Sequence, residues 1–213
     1  MEEPFPSDAI EGVLHRPDAA PTDTFALTHG AGSDYRAPLL AGMARALAAN
    51  GYLVLRYNLP FRKERRKGPP NAAAAGRDRQ GIVRTIEALR AMTPGRVFAG
   101  GHSYGGRQTA MAAAEHADLA AGLLLLSYPL HPPKRPEQER TGYFGDLRTP
   151  ALFVHGTSDP FGSIEEMREA LAMIPAATAL LPVEGAGHEL KRAPDLIADI
   201  LERFHALVCY SGK

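Results

Sequence analysis

The chain has almost no cysteine, no tryptophan and no excess of charge of either sign, and each shortage removes a class of protein. With one cysteine in 213 residues, Cys209, no intramolecular disulfide is possible, and a reducing compartment is the simpler expectation. Lys plus Arg and Asp plus Glu stand at 24 each, so the formal net charge is zero and nothing global favours nucleic acid or an anionic membrane. Long hydrophobic runs are missing as well. The longest, around Gly122-Leu123-Leu124-Leu125-Leu126, is far too short to span a bilayer. The opening Met1-Glu2-Glu3-Pro4-Phe5-Pro6 is acidic and broken by proline, unlike a secretory leader. A cytoplasmic location is the resulting expectation.

What is present is ordinary globular composition, 45% hydrophobic and 23% charged, at a length that suits one domain spanning residues 1–213. Short apolar runs alternate with longer amphipathic stretches, the pattern of a mostly parallel sheet with helices on both faces. Strands are predicted over Ile10–His15, Thr24–His29, Tyr52–Tyr57, Arg96–Gly100, Ala121–Ser127, Ala151–His155 and Thr178–Val183, about seven in all. Helices are predicted over Pro38–Asn50, Arg79–Met92, Tyr104–His116, Ser163–Ile174 and Ala193–Val208. Asn50-Gly51 is a stop signal for the first, and Ser163 with Glu166 resembles a capping box. Two segments, Asn58–Asp78 and Tyr128–Arg148, carry no clear pattern and are expected to be loops walling a site. Too little sequence remains for a large cap domain.

The most informative stretch is Gly101-His102-Ser103-Tyr104-Gly105, directly after the apolar run Arg96-Val97-Phe98-Ala99 and before an alanine-rich helix. A G-x-S-x-G turn between strand and helix can hold its serine at a strained backbone angle with the hydroxyl exposed. A serine hydroxyl is un-ionised at neutral pH and needs a base, which in turn needs an orienting group. Downstream, Asp159 follows the strand Ala151–His155 by a short loop, and His188 lies in a glycine-rich loop after the strand Thr178–Val183. The expected catalytic residues are therefore Ser103, His188 and Asp159, in the chain order Ser, Asp, His. An oxyanion needs two preorganised donors. The backbone N–H of Tyr104 is one candidate, and that of Ala31, in His29-Gly30-Ala31-Gly32-Ser33, is the other.

Three blocks give the chain its resemblance to the α/β-hydrolase superfamily, within the small dienelactone-hydrolase-like group that includes the testis-expressed α/β-hydrolase-like proteins. They are His29-Gly30-Ala31-Gly32, then Gly101-His102-Ser103-Tyr104-Gly105-Gly106-Arg107, and the pair Tyr128-Pro129-Leu130-His131-Pro132-Pro133 with His155-Gly156-Thr157-Ser158-Asp159-Pro160-Phe161-Gly162. The resemblance implies an α/β-hydrolase fold. Dienelactone hydrolases proper have cysteine at the elbow, where this chain has Ser103, so their lactone substrate is not implied.

Blander accounts stand beside these. Ser103 could belong to an elbow kept for packing, Asp159 could cap the helix near Ser163, and His188 could be a solvated loop residue. His29, His102 and His155 sit at strand ends but lack the spacing of a metal site, so they are expected to bond to backbone or water. His205 is expected to be structural. The run Arg62-Lys63-Glu64-Arg65-Arg66-Lys67 puts five basic residues in six positions and is read as a solvated, mobile loop, with attraction of an anion as the sharper alternative. The expected function is hydrolysis of a small ester or thioester through an acyl-enzyme, with no cofactor, no metal, no nucleic acid and no membrane partner. The alternatives are a non-catalytic interaction module on the same fold, or an acyltransferase using the same serine.

Overall fold

The computed structural model describes residues 1–7, 9–71, 73–191 and 196–210. Eight strands form one sheet in the order β1-β2-β4-β3-β5-β6-β7-β8. They are β1 (Glu2–Pro4), β2 (Gly12–His15), β3 (Thr24–Thr28), β4 (Leu53–Tyr57), β5 (Val97–His102), β6 (Leu123–Leu126), β7 (Ala151–Gly156) and β8 (Thr178–Val183). From β4 to β8 every pairing is parallel, while β1 and β2 close one edge antiparallel. The helices are α1 (Pro38–Ala49), α2 (Pro60–Glu64), α3 (Ala74–Arg90), α4 (Ser103–Glu115), α5 (Ile164–Leu171) and α6 (Ile197–Tyr210).

The inner strands are apolar because both faces are covered, and their side chains alternate between two cores. Phe25, Leu27, Phe98, Leu124, Leu126, Leu152 and Val154 pack under α1 and α6 with Met43, Leu47, Ile200 and Phe204. Ala26, Leu55, Ala99, Leu123, Leu125 and Phe153 face the other way, onto Ile82, Ile86, Leu89, Ala113 and Met167 from α3, α4 and α5. Leaving β3, the chain passes through α1 to β4 on one side, then through α3 to β5 on the other. The order reverses between β3 and β5, and such a switch point opens a crevice at the strands' C-terminal ends.

Several sequence expectations need correction. The sheet has eight strands, because the acidic, proline-containing Glu2–Pro4 pairs at the edge, where proline needs no ladder bond. Its glutamates reach Arg16 at 2.6 Å and Arg56 at 3.4 Å. Asn58–Asp78 is not structureless: Pro60, at the first position of α2, starts a short helix, and the alanine-rich stretch begins α3 earlier than expected. Tyr128–Arg148 lacks long elements and has one 3-10 turn at Phe144–Asp146, yet Tyr128, Leu130, Phe144 and Leu147 are buried in the core. Other boundaries move less. Strand β2 begins later than Ile10, β5 runs on to His102, and β6 is trimmed at both ends. Asn50-Gly51 does end α1, with Gly51 at φ +90°, and Ser163 with Glu166 forms a reciprocal capping box on α5. Of the last predicted helix, residues 193–195 lie outside the described residues; α6 begins at Ile197.

Candidate active site

The strand β5 ends at His102 and α4 begins on the next residue, so the chain must reverse within a single peptide. Ser103 takes the strain, at φ +51°, a region that non-glycine residues rarely occupy. The flanking glycines are needed for close approach. A Cβ on Gly101 would lie 2.5 Å from the Thr28 carbonyl oxygen, and one on Gly105 would lie 2.5 Å from that of His29. The elbow is thereby pressed against the end of β3.

Ser103 Oγ lies 2.7 Å from His188 Nε2, and His188 Nδ1 lies 2.8 and 3.1 Å from the two carboxylate oxygens of Asp159. An ionised carboxylate only accepts, so Nδ1 carries the proton and Nε2 is left to accept from the serine hydroxyl. Asp159 is buried, and its Oδ1 also accepts from the Phe161 N–H at 2.9 Å. It does not cap α5; Ser163 does that. The Phe161 ring lies 4.2 Å from the imidazole of His188, centroid to centroid, and shields one face of it. Backbone bonds tie the two loops together: Ser158 N–H donates to Ala186 O at 2.9 Å, and Thr157 N–H to Val183 O at 3.1 Å. Beyond His188, Leu190 N–H closes a turn on Gly187 O at 3.0 Å, and its side chain is buried.

On the other side of the serine, an ideal Cβ on Gly30 would lie 3.5 Å from Ser103 Cβ, so the Gly30-Ala31-Gly32 turn faces Ser103. Tyr104 is the second residue of α4, where an N–H has no partner within the helix. Arg62, only 5% exposed, holds the facing turn. Its guanidinium donates to Ala31 O at 2.7 Å, Ser33 O at 2.8 Å, Arg65 O at 3.1 Å and Gly68 O at 3.1 Å. The sequence reading of 62–67 as a solvated run therefore fails at its first residue, while Lys63 to Lys67 are exposed as expected. A charge run does not reveal which member turns inward to satisfy carbonyls.

Asp78 on α3 is fully buried and was not among the expected site residues. It accepts from Phe61 N–H at 3.0 Å and from the Tyr104 hydroxyl at 2.7 Å, binding α2 and α4 together behind the serine. Burial raises its carboxyl above the ordinary aspartate value, against the pull of those two hydrogen bonds. The signal was available: Asp78, Ile82, Ile86 and Leu89 share one helical face, which places the acid on the buried side.

The three strand-end histidines bond to backbone, as expected. His29 accepts from Leu59 N–H at 3.1 Å through Nε2, so its Nδ1–H donates to Gly30 O at 2.9 Å. Burial lowers its pKa to about 4, which keeps it neutral. The Nε2 atoms of His102 and His155 each lie 2.8 Å from a backbone carbonyl, of His188 and Gly162 respectively. Burial is also the chief cause lowering both of these. His205 is half-buried on α6 and stacks on Tyr52. Among the described residues no three His, Cys, Asp or Glu side chains are grouped to hold a metal, and no helix is long and apolar enough to cross a membrane.

Residues 21–199 match the model of an alpha/beta hydrolase domain family. Solved structures share the architecture at low identity. Dienelactone hydrolase from Anabaena variabilis superposes with a TM-score of 0.76 at 20% identity, covering 97% of each chain. An α/β serine hydrolase without lid from Xanthomonas campestris gives 0.72 at 18%, over 95% of this chain and 94% of that one. Est1E from Butyrivibrio proteoclasticus, solved with ferulic acid bound, gives 0.76 at 16%, over 98% and 99%. The common fold is the α/β-hydrolase fold, here without a large cap domain.

Proposed function

Because the chain belongs to this α/β-hydrolase domain family, we propose that it is a serine hydrolase cleaving a small ester or thioester through an acyl-enzyme. The observation that carries the reading is the unbroken hydrogen-bonded chain from Ser103 Oγ through His188 to Asp159, with the serine on a strained elbow. In this reading Ser103 Oγ attacks the carbonyl carbon while His188 Nε2 removes its proton. Asp159 fixes the imidazole's tautomer and stabilises its charged form. The carbonyl oxygen becomes an oxyanion and takes the N–H groups of Ala31 and Tyr104 as donors. As the tetrahedral species collapses, the C–O or C–S bond breaks and His188 returns the proton to the leaving oxygen or sulfur. Water then repeats the sequence on the acyl-serine, releasing the carboxylic acid and restoring the Ser103 hydroxyl.

A fluorophosphonate probe and short p-nitrophenyl esters test the reading. Intact protein is expected to take up one label and to hydrolyse the esters, and Ser103→Ala to lose the label and reduce turnover by at least about 10⁴-fold. If intact protein takes no label and turns over no ester, the enzyme reading falls and an interaction module on this fold replaces it. Partition of the acyl group to added alcohols or amines in preference to water would instead mark an acyltransferase.

A further inference from the structure

His102, the last residue of β5, stands directly before Ser103 and bonds to the main chain of the residue that would serve as its base. Its Nε2 lies 2.8 Å from His188 O. A carbonyl oxygen only accepts, so Nε2 carries the hydrogen and Nδ1 holds the lone pair. The other edge of the ring abuts the turn after β3, because a Cβ on Gly30 would lie 2.9 Å from Nδ1 and 3.5 Å from Cε1. One buried ring therefore spans the gap between that turn and the loop after β8. Its centroid is 5.2 Å from that of the His188 imidazole. Burial lowers the His102 pKa, which spares an imidazolium at His188 a second cation beside it.

The loop after β8 needs such a hold. Its backbone lacing to the β7 loop ends at Ala186, two residues short of His188. Among the described residues no backbone hydrogen bond joins 187–191 to another segment, since Leu190 N–H only turns back on Gly187 O. Packing here is also incomplete: Glu189 and Leu190 face Ala37, Leu39 and Leu40 across a cavity of about 300 Å³, with His102 in its wall. Atoms that line a void lose contacts on that side. Leu190 adds strain, at φ +45°, where a branched side chain is disfavoured. Strain of this kind persists only where the surroundings hold it. The His102 bond meets the segment at the residue whose Nε2 must stay 2.7 Å from Ser103 Oγ.

We propose that His102 is a positioning residue for the base: braced on Gly30 and donating to the His188 carbonyl, it sets the reach of His188 Nε2 to Ser103 Oγ. This rests on the serine-hydrolase reading of Ser103. His102 acts through His188 alone and takes no part in the proton transfer.

Three variants of the full chain test it, each assayed with p-nitrophenyl acetate and with a fluorophosphonate probe. His102→Leu removes the donor, His102→Asn carries an amide donor too short to reach His188 O, and His102→Gln carries one near the place of Nε2. In the Leu and Asn variants kcat is expected to fall about tenfold to a hundredfold with KM little changed, the effect of misplacing a reacting group by up to about 1 Å. The second-order rate of labelling should slow by the same factor, and His102→Gln should recover most of both rates. Should His102→Leu fail to fold, Asn against Gln reads the same donor. A kcat within twofold of wild type in the Leu and Asn variants overturns the assignment and leaves the hydrolase reading intact. So does a Gln variant as slow as Asn, or a loss that falls on KM in place of kcat. No turnover and no labelling of the wild type take down both.

Discussion

The two sides of Ser103 are built in different ways. On the β7–β8 side, Asp159 and His188 stand on loops that continue the pairing of their strands, laced by Ser158 N–H to Ala186 O and Thr157 N–H to Val183 O. On the β3–β4 side, the Gly30-Ala31-Gly32 turn has no ladder to continue, and side chains hold it: Arg62 through carbonyls, His29 through Leu59 N–H, and Asp78 behind them through Phe61 N–H and the Tyr104 hydroxyl. One half is positioned by backbone geometry, which tolerates changes of side chain. The other depends on a few buried polar groups, each of which leaves orphans if removed. In the proposed mechanism the first half moves protons and the second meets negative charge, so the two should fail differently.

The largest expected effect is on the backbone-laced half. Asp159→Asn keeps an acceptor oxygen for Phe161 N–H but can offer an amide donor to His188 Nδ1, which moves the imidazole proton to Nε2 and stops it accepting from Ser103. Ester turnover should fall by about 10³–10⁴-fold. Because the loops stay paired, the thermal midpoint should move by only a few degrees. A large loss of stability with little loss of rate would reverse the comparison, making Asp159 a structural group.

The side-chain-held half should show a smaller loss of rate with a larger loss of stability. Arg62→Met strips donors from four carbonyls and frees the turn that carries the Ala31 N–H. If that amide drifts from the oxyanion, kcat should fall roughly a hundredfold with KM little changed. Arg62→Lys, a point charge with no planar fork, should fall between the two. Unaltered kcat in a destabilised Arg62→Met protein would confine Arg62 to holding the fold.

The same division explains what could be read from the chain. The grouping of Ser103, Asp159 and His188 was legible because the proposed nucleophilic chemistry demands those residue types, and their order after successive strands is a pattern that survives without coordinates. Strand β8 matches its prediction at both ends, since its apolar run is bounded by clear turn signals. Arg62 and Asp78 were not legible as site residues. Their work is to satisfy distant backbone groups, and a carbonyl looks the same in every sequence. Arg62 was hidden in a charge run, and Asp78 in a segment without an obvious pattern, although its helical spacing with Ile82 and Ile86 marked it as buried. Strand β1 was missed because acidic residues and Pro4 argue against a strand everywhere except at an edge.

The smallest effect is on stability alone and singles out the same half through pH. Burial holds His29 at a pKa of about 4, against about 6.5 in the unfolded chain. Above pH 6.5 both states are neutral there and the contribution to stability is complete. As pH falls below 6.5 the unfolded chain takes up a proton that the folded chain refuses, so stability drains away until about pH 4, where the folded state also binds it. The loss is at most about 3 kcal/mol for this group. His15, buried against Arg56 near the sheet edge and also lowered to about 4, adds a similar slope far from the turn. Urea midpoints measured from pH 7 to 4 should fall throughout this window, with His102 and His155, also lowered by burial, adding to the fall; His29→Gln and His15→Gln should each remove part of the slope and leave a remainder. A midpoint that stays level from 6.5 to 4 would mean that His29 already binds a proton in the native state. Nε2 could not then accept from Leu59 N–H, and the turn beside Ser103 would be anchored by Arg62 alone.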